Sequence, residues 1–133
     1  MPAQHAVHYV RHSKYLCLVY LDEKRLHELP DEDCVAYDTA IRQSGHCIAS
    51  AALQSVQTAT TVRVRDGKVA ITDGPYAETK EQIGGILMLE ANDLNHAIQL
   101  MSKHPGVRGG PFEIRPAADL TGMIRDSARR RAK

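Results

Sequence analysis

Two stretches of strand length, Tyr15-Leu16-Cys17-Leu18-Val19-Tyr20-Leu21 and Ile86-Leu87-Met88-Leu89, contain no polar break, and they constrain the fold more than any other feature. A strand with one wet face alternates apolar and polar residues. A strand apolar at every position is covered on both faces and belongs in the middle of a sheet. Each run is followed by a helical pattern. After the first, Leu29-Pro30-Asp31-Glu32-Asp33 opens a helix, with proline near its first turn and acids at the positive end of its dipole. Cys34, Tyr37 and Ile41 then share one face, and Gly45 stops the helix, which is predicted over residues 31–44. After the second, Asn92 or Asp93 caps a helix whose Leu94, Ala97, Ile98 and Met101 fall at i, i+3, i+4 and i+7. Pro105-Gly106 ends it.

Between these halves lies a hairpin. Asp66-Gly67 separates Thr61-Val62-Arg63-Val64-Arg65 from Lys68-Val69-Ala70-Ile71-Thr72, and a type I′ turn needs residues that accept positive φ. A two-residue loop pairs Arg65 with Lys68, Val64 with Val69, Arg63 with Ala70 and Val62 with Ile71. Both aliphatic pairs then share one face and the opposite face is polar, so the hairpin is expected to be half exposed. Residues 46–53 form another strand, rich in alanine and serine, and Phe112-Glu113-Ile114-Arg115 alternate as a short last one. A further short helix is expected at 119–130.

The order β-α-β, hairpin, β-α-β describes an α+β, ferredoxin-like sandwich with an inserted β-hairpin. Both helices cover one face of the sheet. The other face is apolar as well, and a second copy packing sheet to sheet would cover it, so a homodimer is expected.

At 133 residues the chain fits a single domain, read as an N-terminal arm (1–13), a folded unit (14–117) and a basic C-terminal extension (118–133). Residues 119–133 carry five cations against two acids within an overall charge of +1. A solvated extension accounts for this, and nucleic acid is not the expected partner. His8 and His12 would share a helical face, but no acid or cysteine in the arm completes a metal site. Cys17, Cys34 and Cys47 show no metal-ligand spacing and read as small buried apolar groups in a reducing compartment. With neither a signal-peptide apolar core nor a membrane-length apolar run, the expected location is the cytoplasm.

The stretch from Val69 through Thr72-Asp73-Gly74-Pro75-Tyr76-Ala77-Glu78-Thr79-Lys80-Glu81-Gln82-Ile83-Gly84-Gly85 resembles the signature of the DGPF-domain proteins, part of the YCII-related family. Thr61-Val62-Arg63, Asp93-Leu94, Gly109-Gly110 and Glu113-Ile114-Arg115-Pro116 also fit the pattern. The resemblance covers roughly residues 14–117, with Tyr76 standing where the family has phenylalanine. It implies a dimeric α/β barrel of ferredoxin-like protomers. In the wider family it implies a His–Asp pair in a cleft and, in some members, lyase-type activity on small aromatic compounds. DGPF relatives are often encoded beside extracytoplasmic-function sigma factors.

The candidate site centres on Asp73, at a strand end where Gly-Pro turns the backbone away. Facing a cleft, it would act as a general base or orient a histidine; facing the turn, it would cap backbone N–H groups. Glu78 is its candidate acid–base partner, set against the reading of a solvated turn. Tyr76 either lines a pocket or pins the turn to the core. His27 and His46 are the candidate imidazoles, His27 because the resemblance implies a histidine near the first helix. Arg108, beside Gly109-Gly110, and Arg115 are candidate anion binders, with a tight turn and a surface arginine as the alternative. No nucleotide, zinc or nucleophile-elbow motif is present, so no cofactor is expected. Two readings stand. One is a cofactor-independent enzyme of lyase or isomerase type acting on a small-molecule ligand. The other is a non-catalytic regulatory or interaction module linked to sigma-factor-dependent transcription.

Overall fold

The structure, a computed structural model, describes residues 13–132, so the N-terminal arm with its histidine pair lies outside the described residues. Strand β1 (Ser13–Leu21) is followed by a short 3-10 segment (Glu23–Glu28) and helix α1 (Asp31–Gln43). Strand β2 (Cys47–Ala52) leads through a 3-10 turn (Val56–Thr58) into strands β3 (Thr60–Arg65) and β4 (Lys68–Asp73). Strand β5 (Gln82–Ala91), helix α2 (Leu94–Ser102), a 3-10 turn (Pro105–Arg108), strand β6 (Phe112–Pro116) and helix α3 (Leu120–Ala132) complete the chain.

The fold is mixed α+β. Four strands form an antiparallel sheet in the order β2-β5-β1-β6, and β3 and β4 form a separate two-stranded sheet. The two apolar runs occupy the central positions. The sheet of the single chain is open, with β2 and β6 as its edges, and is not a closed barrel. Tyr15, Cys17, Leu87 and Leu89 point to one side, where they meet Ile41 of α1 and Ala97 and Met101 of α2 in one core. The α2 stripe is narrower than its spacing suggests: Ala97 and Met101 are buried, but Leu94 and Ile98 are exposed. The buried contact runs along the Ala97–Met101 line, with Leu100 packed beside it.

The helix ends follow the sequence logic. The Asp93 carboxylate accepts the His96 N–H and caps α2, and Gly45, at φ +85°, follows the end of α1. Of the three cysteines, all free thiols, Cys17 and Cys47 are buried and Cys34 is half-buried. Burial pushes the Cys17 thiol up to about 12.

On the side of the sheet away from α1 and α2 lie Leu16 paired with Met88 and Leu18 paired with Ile86. Ala49 and Ala51 of β2 extend this row, and Glu113 and Arg115 of β6 border it. Among the described residues, neither α1 nor α2 covers this face.

The hairpin register is the expected one, with Arg65 opposite Lys68 and Val62 opposite Ile71. Asp66 and Gly67 both have positive φ, as the tight turn requires. The exposure is the reverse of what the pattern suggests. Val62, Val64, Val69 and Ile71 are 64–68% exposed, whereas Thr61, Arg63 and Ala70 on the polar face are half-buried. The cause lies on the polar side. The Thr61 hydroxyl donates to the Gly74 carbonyl, and the Arg63 guanidinium lies 5.4 Å from the centre of the Tyr76 ring. The following turn thus touches the polar face, and the aliphatic face is left outward.

Candidate functional site

The turn after β4 forms the mouth of the main cavity. The Gly74 N–H donates to the Ala59 carbonyl at 2.7 Å, and Gly74 itself has φ +111°. This closes the hairpin base and throws Pro75, Tyr76 and Ala77 over the end of the sheet. The Gln82 side-chain amide donates to the carbonyls of Ala77 and Thr79, holding the far side of the turn. The opposite wall is the segment after β2. Glu23 fixes it by accepting from the Ser55 hydroxyl at 2.8 Å and the Val56 N–H at 2.6 Å. A bulge supplies the floor. The β1–β5 register slips between Val19 and Tyr20, so that Tyr20 pairs with Ile83, skipping Gly84. That extra residue brings Ile83 beside Tyr20 at the cavity end of the sheet.

The resulting cavity measures about 660 Å³. Leu53, Val56, Pro75, Ile83 and the rings of Tyr20 and Tyr76 make most of its wall, with Ser55, Thr58, Thr79 and Gln82 as neutral polar groups. Among the described residues Glu81 is the one carboxylate in the lining, and no lysine, arginine or histidine joins it. A neighbouring depression of about 440 Å³ shares Tyr20, Thr79 and Glu81, and adds Lys80 and Glu113. The Tyr20 hydroxyl donates to Glu113 Oε1 at 3.1 Å across this boundary. Burial, and then the Glu113 carboxylate, hold the Tyr20 phenol above its ordinary value, so it stays a neutral donor.

The sequence candidates are dispersed. Tyr76 lines the main cavity. Asp73 ends β4 opposite Thr60, exposed, outside the cavity wall and without a hydrogen-bond partner among the described residues. It lies on the same side of the hairpin as Val62, Val64, Val69 and Ile71. Glu78 is exposed on the turn, also outside the wall. His27 is exposed in the 3-10 segment after β1. His46 sits at the other end of the sheet, its Nδ1 3.3 Å from the Glu90 carbonyl and its ring edge-on to His96. Arg108 shares a small depression with Arg25 and Glu28, and Arg115 is exposed on β6 beside Glu113. Gly110 is required by close packing: a Cβ there would lie 2.1 Å from the Tyr20 carbonyl oxygen.

The histidine–aspartate pair that the structure does hold was not legible in the sequence. His104 Nε2 lies 2.6 Å from Asp38 Oδ1, linking the end of α2 to α1. His104 Nδ1 accepts the Gly106 N–H at 3.0 Å, so the ring is neutral with its proton on Nε2, donated to Asp38. The imidazole is 6% exposed and makes edge contacts with Tyr37 and Phe112, each at 5.3 Å between centres. In sequence His104 reads only as a cation suited to a helix end. Neither member lines any of the cavities described above, and both imidazole nitrogens are engaged within the fold.

The arrangement defines a class: a mixed α+β protein whose antiparallel sheet ends in a ligand-sized, largely apolar cavity under a connecting turn. The model of the YCII-related domain matches residues 13–121, and the chain belongs to that family. It is also similar to an uncharacterised protein of Rhizobium meliloti (strain 1021), 30% identical over 115 residues that cover 78% of this chain and 91% of that one.

Proposed function

We propose that this YCII-related protein binds a small, largely apolar organic molecule, neutral or cationic, in the cavity beneath the turn after β4. The observation that carries the reading is the wall itself: a volume within the range of small-molecule sites, aromatic and aliphatic side chains, and Glu81 as the lone charge. An anion would meet that carboxylate with no cation among the described wall residues to offset it. The Arg63–Tyr76 contact and the Gln82 hydrogen bonds hold the turn in place over the cavity. The protein acts as a ferredoxin-like homodimer of the DGPF type, joined over the uncovered face around Leu16, Leu18, Ile86 and Met88. That packing also encloses the cavity end of the sheet. In this reading any cofactor-independent proton transfer of lyase or isomerase type falls to Glu81 within the protomer, and Asp73 contributes only where a second copy covers the hairpin.

The test is a thermal-shift and calorimetric screen of neutral, cationic and anionic aromatic compounds. Neutral or cationic compounds should raise the melting temperature, and Ala77→Trp, which sets an indole at the mouth, should abolish the shift. Glu81→Gln should remove the preference against anions. Binding that survives Ala77→Trp unchanged, or binding of anions alone, would overturn the assignment.

A further inference from the structure

Two apolar surfaces of the described chain remain uncovered beyond the open face of the sheet, and they match each other. The first is the hairpin face of Val62, Val64, Val69 and Ile71. The second is one side of α3, where Leu120, Met123 and Ile124 are 58–65% exposed at helical spacing. The hairpin strands pack extensively only on each other, and α3 packs extensively on no other element among the described residues. Their sizes agree: a helix of 13 residues is about 20 Å long, and so is a strand of six.

Their charges are complementary. The one acidic side chain on the aliphatic face of the hairpin is Asp73, at its base. Arg63, Arg65 and Lys68 alternate onto the opposite face. α3 carries Arg125, Arg129, Arg130 and Arg131 against a single acid, Asp126. The two surfaces also lie at opposite ends of one protomer. The chain enters α3 beside the start of β1, where the Ala117 N–H donates to the Lys14 carbonyl. The hairpin springs from the other end of the sheet, where the Leu53 N–H donates to the Gly84 carbonyl. The nine residues of β1, about 30 Å, separate them.

We propose that α3 of one copy docks on the aliphatic face of the hairpin of a second copy, and reciprocally, so that an arginine of the partner's α3 closes on Asp73. A two-fold axis turns the end-to-end separation within one chain into two equivalent contacts between chains. The contact buries seven apolar side chains on each side of the axis and gives Asp73 a cation that none of its own chain's described residues supplies. The proposal rests on the homodimer reading, extends it to a specific contact, and is independent of the ligand in the cavity.

The experiment uses the full chain. Sedimentation velocity should show a dimer, and Val64→Glu and Ile124→Glu, both at exposed positions, should each raise the dimer dissociation constant about tenfold or more. Asp73→Asn should raise it by a smaller factor. A chain with Val69→Cys mixed with one carrying Ile124→Cys should give a covalent heterodimer with a short bismaleimide, in excess of either variant alone. A native chain that is monomeric at high concentration overturns this proposal and the homodimer reading together. A dimer indifferent to both glutamate variants, or a mixture that gives no covalent heterodimer in excess of either variant alone, overturns the α3–hairpin contact alone and leaves the sheet-to-sheet dimer standing.

Discussion

The His104–Asp38 pair allows a decisive test of what holds the helical layer together. His104→Ala removes two hydrogen bonds, to Asp38 and to the Gly106 N–H, and withdraws a ring from between Tyr37 and Phe112. Emptying a buried ring site costs on the order of 3 kcal/mol, and leaving a buried polar group unmatched costs about 1–3 kcal/mol. Asp38 is 36% exposed at its side chain and can recover water, so its share falls at the low end. The expected loss is about 3–5 kcal/mol, a large part of a small domain's stability. His104→Phe separates the two contributions. It keeps the ring contacts and deletes both hydrogen bonds, with an expected loss of about 2 kcal/mol. Because the neutral ring donates from Nε2, Asp38→Asn still offers an acceptor and should cost no more than about 1 kcal/mol. Urea unfolding followed by circular dichroism gives all three values, with unchanged slopes confirming comparable folded states. An Asp38→Asn loss as large as that of His104→Ala would refute the neutral tautomer. If His104→Phe kept its stability but lost ligand binding in the cavity, the structural role itself would be refuted.

Other outcomes follow from the same geometry. Gly110→Ala drives a Cβ into the Tyr20 backbone and should destabilise by about 1–3 kcal/mol in urea unfolding, because backbone cannot step aside. Gly109→Ala clashes only with the movable end of Leu29, its backbone neighbour, the Gly106 carbonyl oxygen, lying at an ordinary 3.5 Å, and should cost less than Gly110→Ala in the same assay. Ellman's reagent at pH 8 should leave Cys17 unmodified in the folded protein and titrate it after unfolding, since burial suppresses its thiolate. Glu113→Gln removes the negative charge that, beside burial and the hydrogen bond, raises the Tyr20 phenol. Its ultraviolet titration should therefore begin at lower pH than in the native chain, while staying above an ordinary tyrosine because the burial remains.

Local pattern determined much of this protein. Unbroken apolar runs have only one stable place in a sheet, so β1 and β5 were legible as central strands, and the helices on one face followed from their spacing. Asp66-Gly67 sets the hairpin register through backbone sterics alone, and the pairing is the one those two residues dictate. The family, too, was legible from the motif running from Val69 to Gly85. Exposure was not, because alternation says which residues share a face and not which face meets the rest of the molecule. In the hairpin the polar face meets the turn through Thr61 and Arg63, and the aliphatic face is the exposed one. The site was decided in the same way. Asp73, Glu78, His27, His46, Arg108 and Arg115 stand out by residue type, yet the chain path disperses them. Glu81, Tyr20 and Ile83 line the cavity only because a one-residue bulge at Gly84 brings the start of β5 beside the end of β1. His104 and Asp38, 66 positions apart, meet only where α1 and the end of α2 pack on the same face of the sheet. Such meetings depend on the summed geometry of several elements, which no local stretch of sequence encodes.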